Sequence, residues 1–170
     1  MSIPYRKILL PLDGSEIAAQ ALPYAQDLAE HSGAELILYH VIPEPRQMVL
    51  SLPEGRWAQP AAEQHTQLPD QSGDQLQGLA DELALHHVTA RVILDVGEPA
   101  AKIIDYAASH DIDLIVMSSH GRTGLARWTH GSVAAKVIGG ARCPLLLVRA
   151  ELGPRWGARY RRRPVSVALS

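Results

Sequence analysis

The chain of 170 residues has one cysteine, Cys143, and no asparagine at all. A single thiol excludes an internal disulfide framework and a multi-cysteine zinc site. Without Asn there is no acceptor for N-glycosylation. Long apolar runs are also missing: stretches such as residues 36–39 and 145–148 fall far short of the ~20 residues a membrane helix needs. Residues 1–7 lack the apolar core and small-residue cleavage site of a secretory signal, so a cytosolic address without membrane contact is expected. No Gly-x-Gly, Gly-Lys, His-Glu or Gly-x-Ser-x-Gly occurs. These absences remove the common dinucleotide fingerprint, the P-loop, the zinc-protease helix and the hydrolase nucleophile elbow.

What is present is an ordinary globular composition, 46% apolar and 20% charged, at a length that suits about one domain. Charge is unevenly spread. Residues 151–170 carry five Arg against Glu151, a net +4, so the other residues sum to −6 in a chain of −2. An acidic body argues against nucleic-acid binding, which relies on Lys and Arg neutralising phosphates. Only weak polyanion contacts by the basic tail are expected, or plain solvation. We therefore divide the chain into residues 1–150 and a tail, 151–170.

Five runs rich in Val, Ile and Leu, at residues 7–11, 35–41, 89–96, 113–117 and 144–149, are largely continuous rather than alternating. That pattern suits strands covered on both faces of a parallel sheet. Helical spacing appears between them. Ile17, Ala18, Ala21, Leu22, Ala25, Leu28 and Ala29 predict one helix over residues 15–31, kinked near Pro23 and stopped by Gly33. Leu76, Leu79, Ala80 and Leu83 mark a second, and Pro99, Ile103, Ile104 and Ala107 a third. A fourth runs from Gly131 to about Ile138, ended by Gly139-Gly140. The alternation predicts an α/β three-layer doubly wound domain with a five-stranded parallel sheet and helices on both faces; the order expected for it is 3-2-1-4-5. Residues 43–73, rich in Pro and Gln, break the rhythm and are expected to form a mobile insertion, either a lid or an excursion without chemistry.

The glycine-rich stretch sits in an informative place. After the fourth strand the chain runs Ser118-Ser119-His120-Gly121-Arg122-Thr123-Gly124 and on to His130-Gly131-Ser132-Val133, where a helix begins. Amides at a helix start lack internal partners and carry the positive end of the helix dipole, so Gly131, Ser132 and Val133 offer a phosphate cradle. Ser132 serves equally as a plain N-cap. Across from them, Asp13 in Pro11-Leu12-Asp13-Gly14-Ser15 ends the first strand. Its carboxylate can accept from ribose hydroxyls or a base amino group, or cap the turn at Gly14. In a sheet of the expected order, strands one and four meet at the reversal point, where ligands bind beyond the carboxyl strand ends. Asp13 and the glycine loop then face one crevice. Arg122 and Arg127 either neutralise phosphate or stay solvated. No residue stands out as a base to orient water, since His120 and His130 qualify by proximity alone; no catalytic residue and no metal ligand is assigned.

Gly121, nine residues, then Gly131-Ser132, preceded by a strand and His120 and joined by Pro11-x-Asp13 and His40-Val41, resembles the universal stress protein family. The resemblance covers about residues 4–149. It implies a five-stranded parallel sheet, usually a homodimer, and in the ATP-binding branch a motif of Gly, two residues, Gly, nine residues, Gly-Ser. By match, Pro11, Leu12, Asp13 and Val41 surround adenine and ribose, with Met117 along the crevice. Gly121, Gly131, Ser132 and Val133 hold phosphates, alongside His120 and Arg122. The first motif glycine is replaced by Ser118. A left-handed backbone there would cost Ser about 1–2 kcal/mol; in an extended backbone its hydroxyl is free to meet a phosphate oxygen.

The function so implied is a dimeric, cytoplasmic ATP-binding regulator or sensor in stress response, acting on an unnamed protein partner, with slow hydrolysis at most. The ligand is ATP, ADP or AMP, with Mg²⁺ carried by phosphate oxygens and water. The alternative is a nucleotide-free dimeric interaction module of the same fold. In both, the apolar last strand, Leu145-Leu146-Leu147-Val148, lies at a sheet edge with exposed side chains and pairs with a second copy. Cys143 is expected to be a small buried residue with no redox role.

Overall fold

The computed structural model describes residues 5–43, 69–120 and 132–150. Five strands form one parallel sheet: β1 (Lys7–Pro11), β2 (Glu35–Ile42), β3 (Ala90–Val96), β4 (Leu114–His120) and β5 (Leu145–Ala150), in the order β3-β2-β1-β4-β5. This is the expected order. Helices α1 (Glu16–Ala19), α2 (Leu22–Ser32) and α3 (Pro69–Leu85) cover one face, and α4 (Pro99–Ser109) and α5 (Ser132–Gly140) the other.

Alternation along each strand divides the core in two. Ile8, Leu10, Leu36, Leu38, Leu114 and Val116 pack under α2 and α3, whereas Leu9, Ile37, Tyr39, Ile115 and Met117 pack under α4 and α5. Each fully buried Leu or Ile contributes about 1.5–3 kcal/mol of transfer free energy. A continuous apolar run is therefore what a sheet with two covered faces demands.

Several expectations need correction. The helix predicted over residues 15–31 is two helices, because Pro23 has no N–H to donate and its ring collides with the carbonyl four residues back. That carbonyl belongs to Ala19, where α1 ends, and Pro23 falls in the first turn of α2. Helix α3 starts at Pro69, inside the stretch assigned to the insertion; residues 44–68 lie outside the described residues. Gly139 and Gly140 lie within α5 rather than beyond it, and neither is among the glycines with positive φ. Gly140 provides space, since a Cβ there would stand 2.6 Å from Ile104 Cδ1. Strand β5 is an edge as expected, but Leu145, Leu146 and Leu147 are half-buried and Val148 is buried. The exposed apolar strand side chains among the described residues are Leu94 and Val96, at the opposite edge.

Polar ties fix how the elements meet. The Asp113 carboxylate accepts from the backbone N–H of Arg6 at 2.8 Å and of Lys7 at 2.9 Å, joining the amino ends of β1 and β4. These bonds, the Arg6 amide first, hold its carboxyl below the usual carboxylate range. On the other face the buried Tyr39 hydroxyl donates to Asp95 at 2.8 Å. Burial and the neighbouring carboxylate push the phenol well up, and the same bond helps lower Asp95. Lys102 pairs with Asp95 at 3.1 Å. Glu98 caps α4 through Ala101 N–H at 2.7 Å, while its other oxygen receives Lys136 of α5 at 2.8 Å.

Two outcomes follow from these contacts. A carboxylate whose folded pKa lies below its unfolded value stabilises the fold above the unfolded pKa, and that stability is lost as pH falls through the folded pKa. Asp113→Asn is expected to cost about 1 kcal/mol at pH 7. Urea titrations should find this gap closing below about pH 4; a gap that persists there contradicts the assignment. Gly97, between β3 and α4, has φ +145° and donates to Ile42 O at 3.0 Å. Gly97→Ala should lower stability by about 1–3 kcal/mol through backbone strain, seen as an earlier denaturation midpoint at unchanged m-value.

Candidate functional site

Strand β1 pairs with β2 along its whole length, from Lys7↔Glu35 to Pro11↔Tyr39. With β4 it pairs at Ile8↔Leu114 and Leu9↔Ile115. Beyond Leu9 the carboxyl ends of β1 and β4 share no further pairing among the described residues. This is the reversal point of the sheet, since β2 follows β1 on one side and β4 adjoins it on the other. Backbone groups at such a point are left for a ligand.

The segment leaving β1 is held from two sides. Leu12 N–H donates to Tyr39 O at 2.9 Å, extending the β2 pairing by one residue. His40 Nδ1 lies 2.7 Å from Leu12 O; a carbonyl only accepts, so this nitrogen carries the proton. Asp13 is exposed, and its Oδ1 accepts from Ser15 N–H at 3.0 Å and from Ser15 Oγ at 2.6 Å. Ser15 Oγ in turn accepts from Ala18 N–H at 3.1 Å and caps α1. Gly14, at φ +80°, gives the turn a backbone conformation that a side chain would resist. The turn-cap role of Asp13 is thus realised through Oδ1, while Oδ2 has no protein partner among the described residues.

The remaining residues separate by face. Val41 and Met117, 8% and 6% exposed, belong with half-buried Val133 to the cluster under α4 and α5. Together they make an apolar wall beneath the strand ends. The Leu12 side chain lies in the opposite cluster, and Pro11 is half-buried beside it. Ser118 is half-buried within β4 and aligned with Val148 of β5. Among the described non-glycine residues with positive φ are His87 and Asp111 and not Ser118, so the left-handed penalty does not arise. His120 is the last residue of β4 and Ser132 the first of α5. Gly121, Arg122 and Gly131, with Arg127 and His130, lie outside the described residues.

A hollow of about 160 Å³ lies on the α1 and α3 side, lined by Leu12, Ser15, Ala19, His40, Leu76 and Leu79 among others. Neither Val41 nor Met117 lines it. Sequence reasoning gave no role to His40 or Ser15. The available signals were the position of His40 directly before Val41 and of Ser15 two residues after Asp13, a spacing that favours side-chain to backbone turns. Cys143 is half-buried against the α4 and α5 cluster, and burial pushes its thiol up, away from reactive thiolate. Among the described residues no group of three or more His, Cys, Asp or Glu is placed to hold a metal ion, and no helix is long and apolar enough to cross a membrane.

Comparison with known proteins agrees with this architecture. The family model described as "Universal stress protein family" matches residues 4–149. A universal stress protein of Methanocaldococcus jannaschii, MJ0531, is 33% identical over 150 residues, covering 85% of this chain and 82% of that one. YxiE of Bacillus subtilis is 34% identical over 148 residues, covering 85% and 99%. The solved structure of MJ0577 has a TM-score of 0.67 at 26% identity, covering 89% of this chain and 100% of that one. Two further structures share the fold. One is a universal stress protein in complex with cAMP, with TM-score 0.61, 20% identity and coverage of 87% and 99%. The other is the Archaeoglobus fulgidus protein in complex with dAMP, with TM-score 0.54, 22% identity and coverage of 85% and 98%. With the expected strand order and a family match from residue 4 to residue 149, the chain belongs to the universal stress protein family.

Proposed function

We propose that the protein binds an adenine nucleotide, ATP in the first place, at the carboxyl end of β1 and β4, and acts as a dimeric regulator or sensor in stress response. The observation that carries this reading is the parting of β1 from β4 beyond Leu9, with the free Asp13 Oδ2 and the Val41 and Met117 wall at its rim. Such a site suits a ligand with one apolar flat end and one hydroxyl-bearing end. Pro11, Leu12, Asp13 and Val41 take adenine and ribose, and Met117 lines the crevice. Ser118, His120, Gly121, Arg122, Gly131, Ser132 and Val133 take the phosphates. The cAMP and dAMP complexes of structurally similar proteins support the adenine class.

Three or four phosphate contacts of roughly 1.5–3 kcal/mol each, less the cost of immobilising the ligand, leave micromolar affinity, about −8 kcal/mol. That range lets a binding protein respond to cellular ATP. Mg²⁺ enters with the nucleotide, held by phosphate oxygens. No side chain is assigned to orient attacking water, so turnover is slow at most. A cytoplasmic address matches such a ligand, and residues 1–150 act as the binding domain with 151–170 as a basic tail.

Mass spectrometry of the denatured purified protein should release adenine nucleotide, and 1 mM ATP should stabilise the fold by about 4 kcal/mol for a micromolar site. Gly131→Glu, which sets a carboxylate and bulk against the phosphates, should abolish both effects. An empty protein with no thermal shift at millimolar Mg-ATP rejects the nucleotide reading.

Dimerisation is proposed through β5, whose outer edge has no strand partner among the described residues. An unpaired edge of backbone donors and acceptors gains by pairing with a second copy. Sedimentation equilibrium should return twice the 18.5 kDa chain mass; a monomer at micromolar concentration contradicts the proposal.

A further inference from the structure

The segment that carries Asp13 is fastened at two points by side chains that stand outside the proposed nucleotide contacts. We infer that His40 and Ser15 are positioning residues, which together preorganise the Asp13 carboxylate for the ribose; this rests on the nucleotide reading above and adds to it how the ribose contact is set. His40 acts across elements, its Nδ1–H reaching from β2 to the Leu12 carbonyl at 2.7 Å. With Leu12 N–H on Tyr39 O at 2.9 Å, both polar groups of the Leu12 backbone are tied to β2. The chain can therefore neither slide nor rotate as it leaves β1, and Asp13 stays in register with Val41, the residue after His40.

Ser15 acts on the carboxylate itself. Its N–H and Oγ–H both meet Oδ1, at 3.0 and 2.6 Å, so the carboxylate is fixed in rotation about its last bond. The Oγ lone pairs remain available to Ala18 N–H at 3.1 Å, which roots the arrangement in α1. One oxygen is thus consumed in holding the group and the other is presented. A carboxylate already ordered loses less rotational freedom when a ribose hydroxyl binds, and preorganisation appears as affinity. Both Ser15 bonds are donated to Oδ1, so the lone pairs of Oδ2 remain to accept from a ribose hydroxyl.

Titration calorimetry with ATP and with 2′,3′-dideoxy-ATP tests this, because the second ligand has no ribose hydroxyl for Asp13 to bind. Ser15→Ala and His40→Phe should each weaken ATP about fivefold, the equivalent of one ordinary hydrogen bond, while dideoxy-ATP binding changes less than about twofold. Ser15→Thr keeps the hydroxyl, and His40→Asn places an amide N–H where Nδ1 stood; both should restore ATP affinity, with thermal melts verifying that each variant folds. Equal losses for the two nucleotides mean that the residues serve the fold alone and overturn the inference. So do variants that bind ATP like the wild type, or a wild type that binds both nucleotides equally well. A wild type that binds neither nucleotide rejects the nucleotide reading itself, and the inference with it.

Discussion

The carboxylate of Asp113 sets how β1 meets β4, the junction on which the candidate site depends. By accepting the Arg6 and Lys7 amides it joins β1 to β4 at their amino ends. Pairing between these strands then runs only two residues among the described positions, while β1 stays zipped to β2 up to Pro11. The sheet order puts this break at the reversal point, where α1 of the β1–β2 crossover packs against β4, and the short register determines how early the ladder ends.

The two faces of the sheet take different parts in what happens there. The α4 and α5 face supplies the apolar floor, Val41 and Met117, and is tightened by the Tyr39–Asp95–Lys102 cluster and by Lys136 reaching Glu98. The last of these pairs is solvent-exposed and is worth little by itself; its role is to orient α5 against the start of α4. The α1 and α3 face carries the Asp13 turn, where Ser15 caps the four-residue helix α1. Capping and ligand recognition are often treated as competing explanations of an acidic residue beside a glycine. In Asp13 the turn bonds occupy Oδ1 and leave Oδ2 without a protein partner among the described residues.

Strand positions were legible because burial on both faces forces long apolar runs, and β1 coincides with the predicted residues 7–11. Other boundaries were harder. Helical periodicity continues from Ile17 through Ala29 without interruption, so the break at Gln20 and Ala21 is invisible to it and depends on the Pro23 ring meeting Ala19. The first turn of α3, Pro69-Asp70-Gln71-Ser72-Gly73, has no apolar member to mark a buried face. Gly139-Gly140 carried the composition of a helix stop, yet α5 runs through both, and at Gly140 Ile104 of α4 occupies the space a side chain would need. Asp13 was found from sequence by its place at a strand end; His40 and Ser15 were not, since a bond spanning 28 residues and a rotamer choice leave no periodic trace.

The sequence by itself determined the layered α/β class with helices on both faces of a parallel sheet, because hydrophobic periodicity and the handedness of crossovers admit few alternatives; the strand order it left as an expectation, which the tertiary structure bears out. It also carried the family motif on Asp13, Gly121, Gly131 and Ser132. Tertiary structure alone decided that Ser118 is extended, that Leu12 turns its side chain away from Val41 and Met117, and that Asp13 offers one oxygen rather than two. These are matters of dihedral angle and of partners distant in the chain, set when the elements pack and their polar groups find donors.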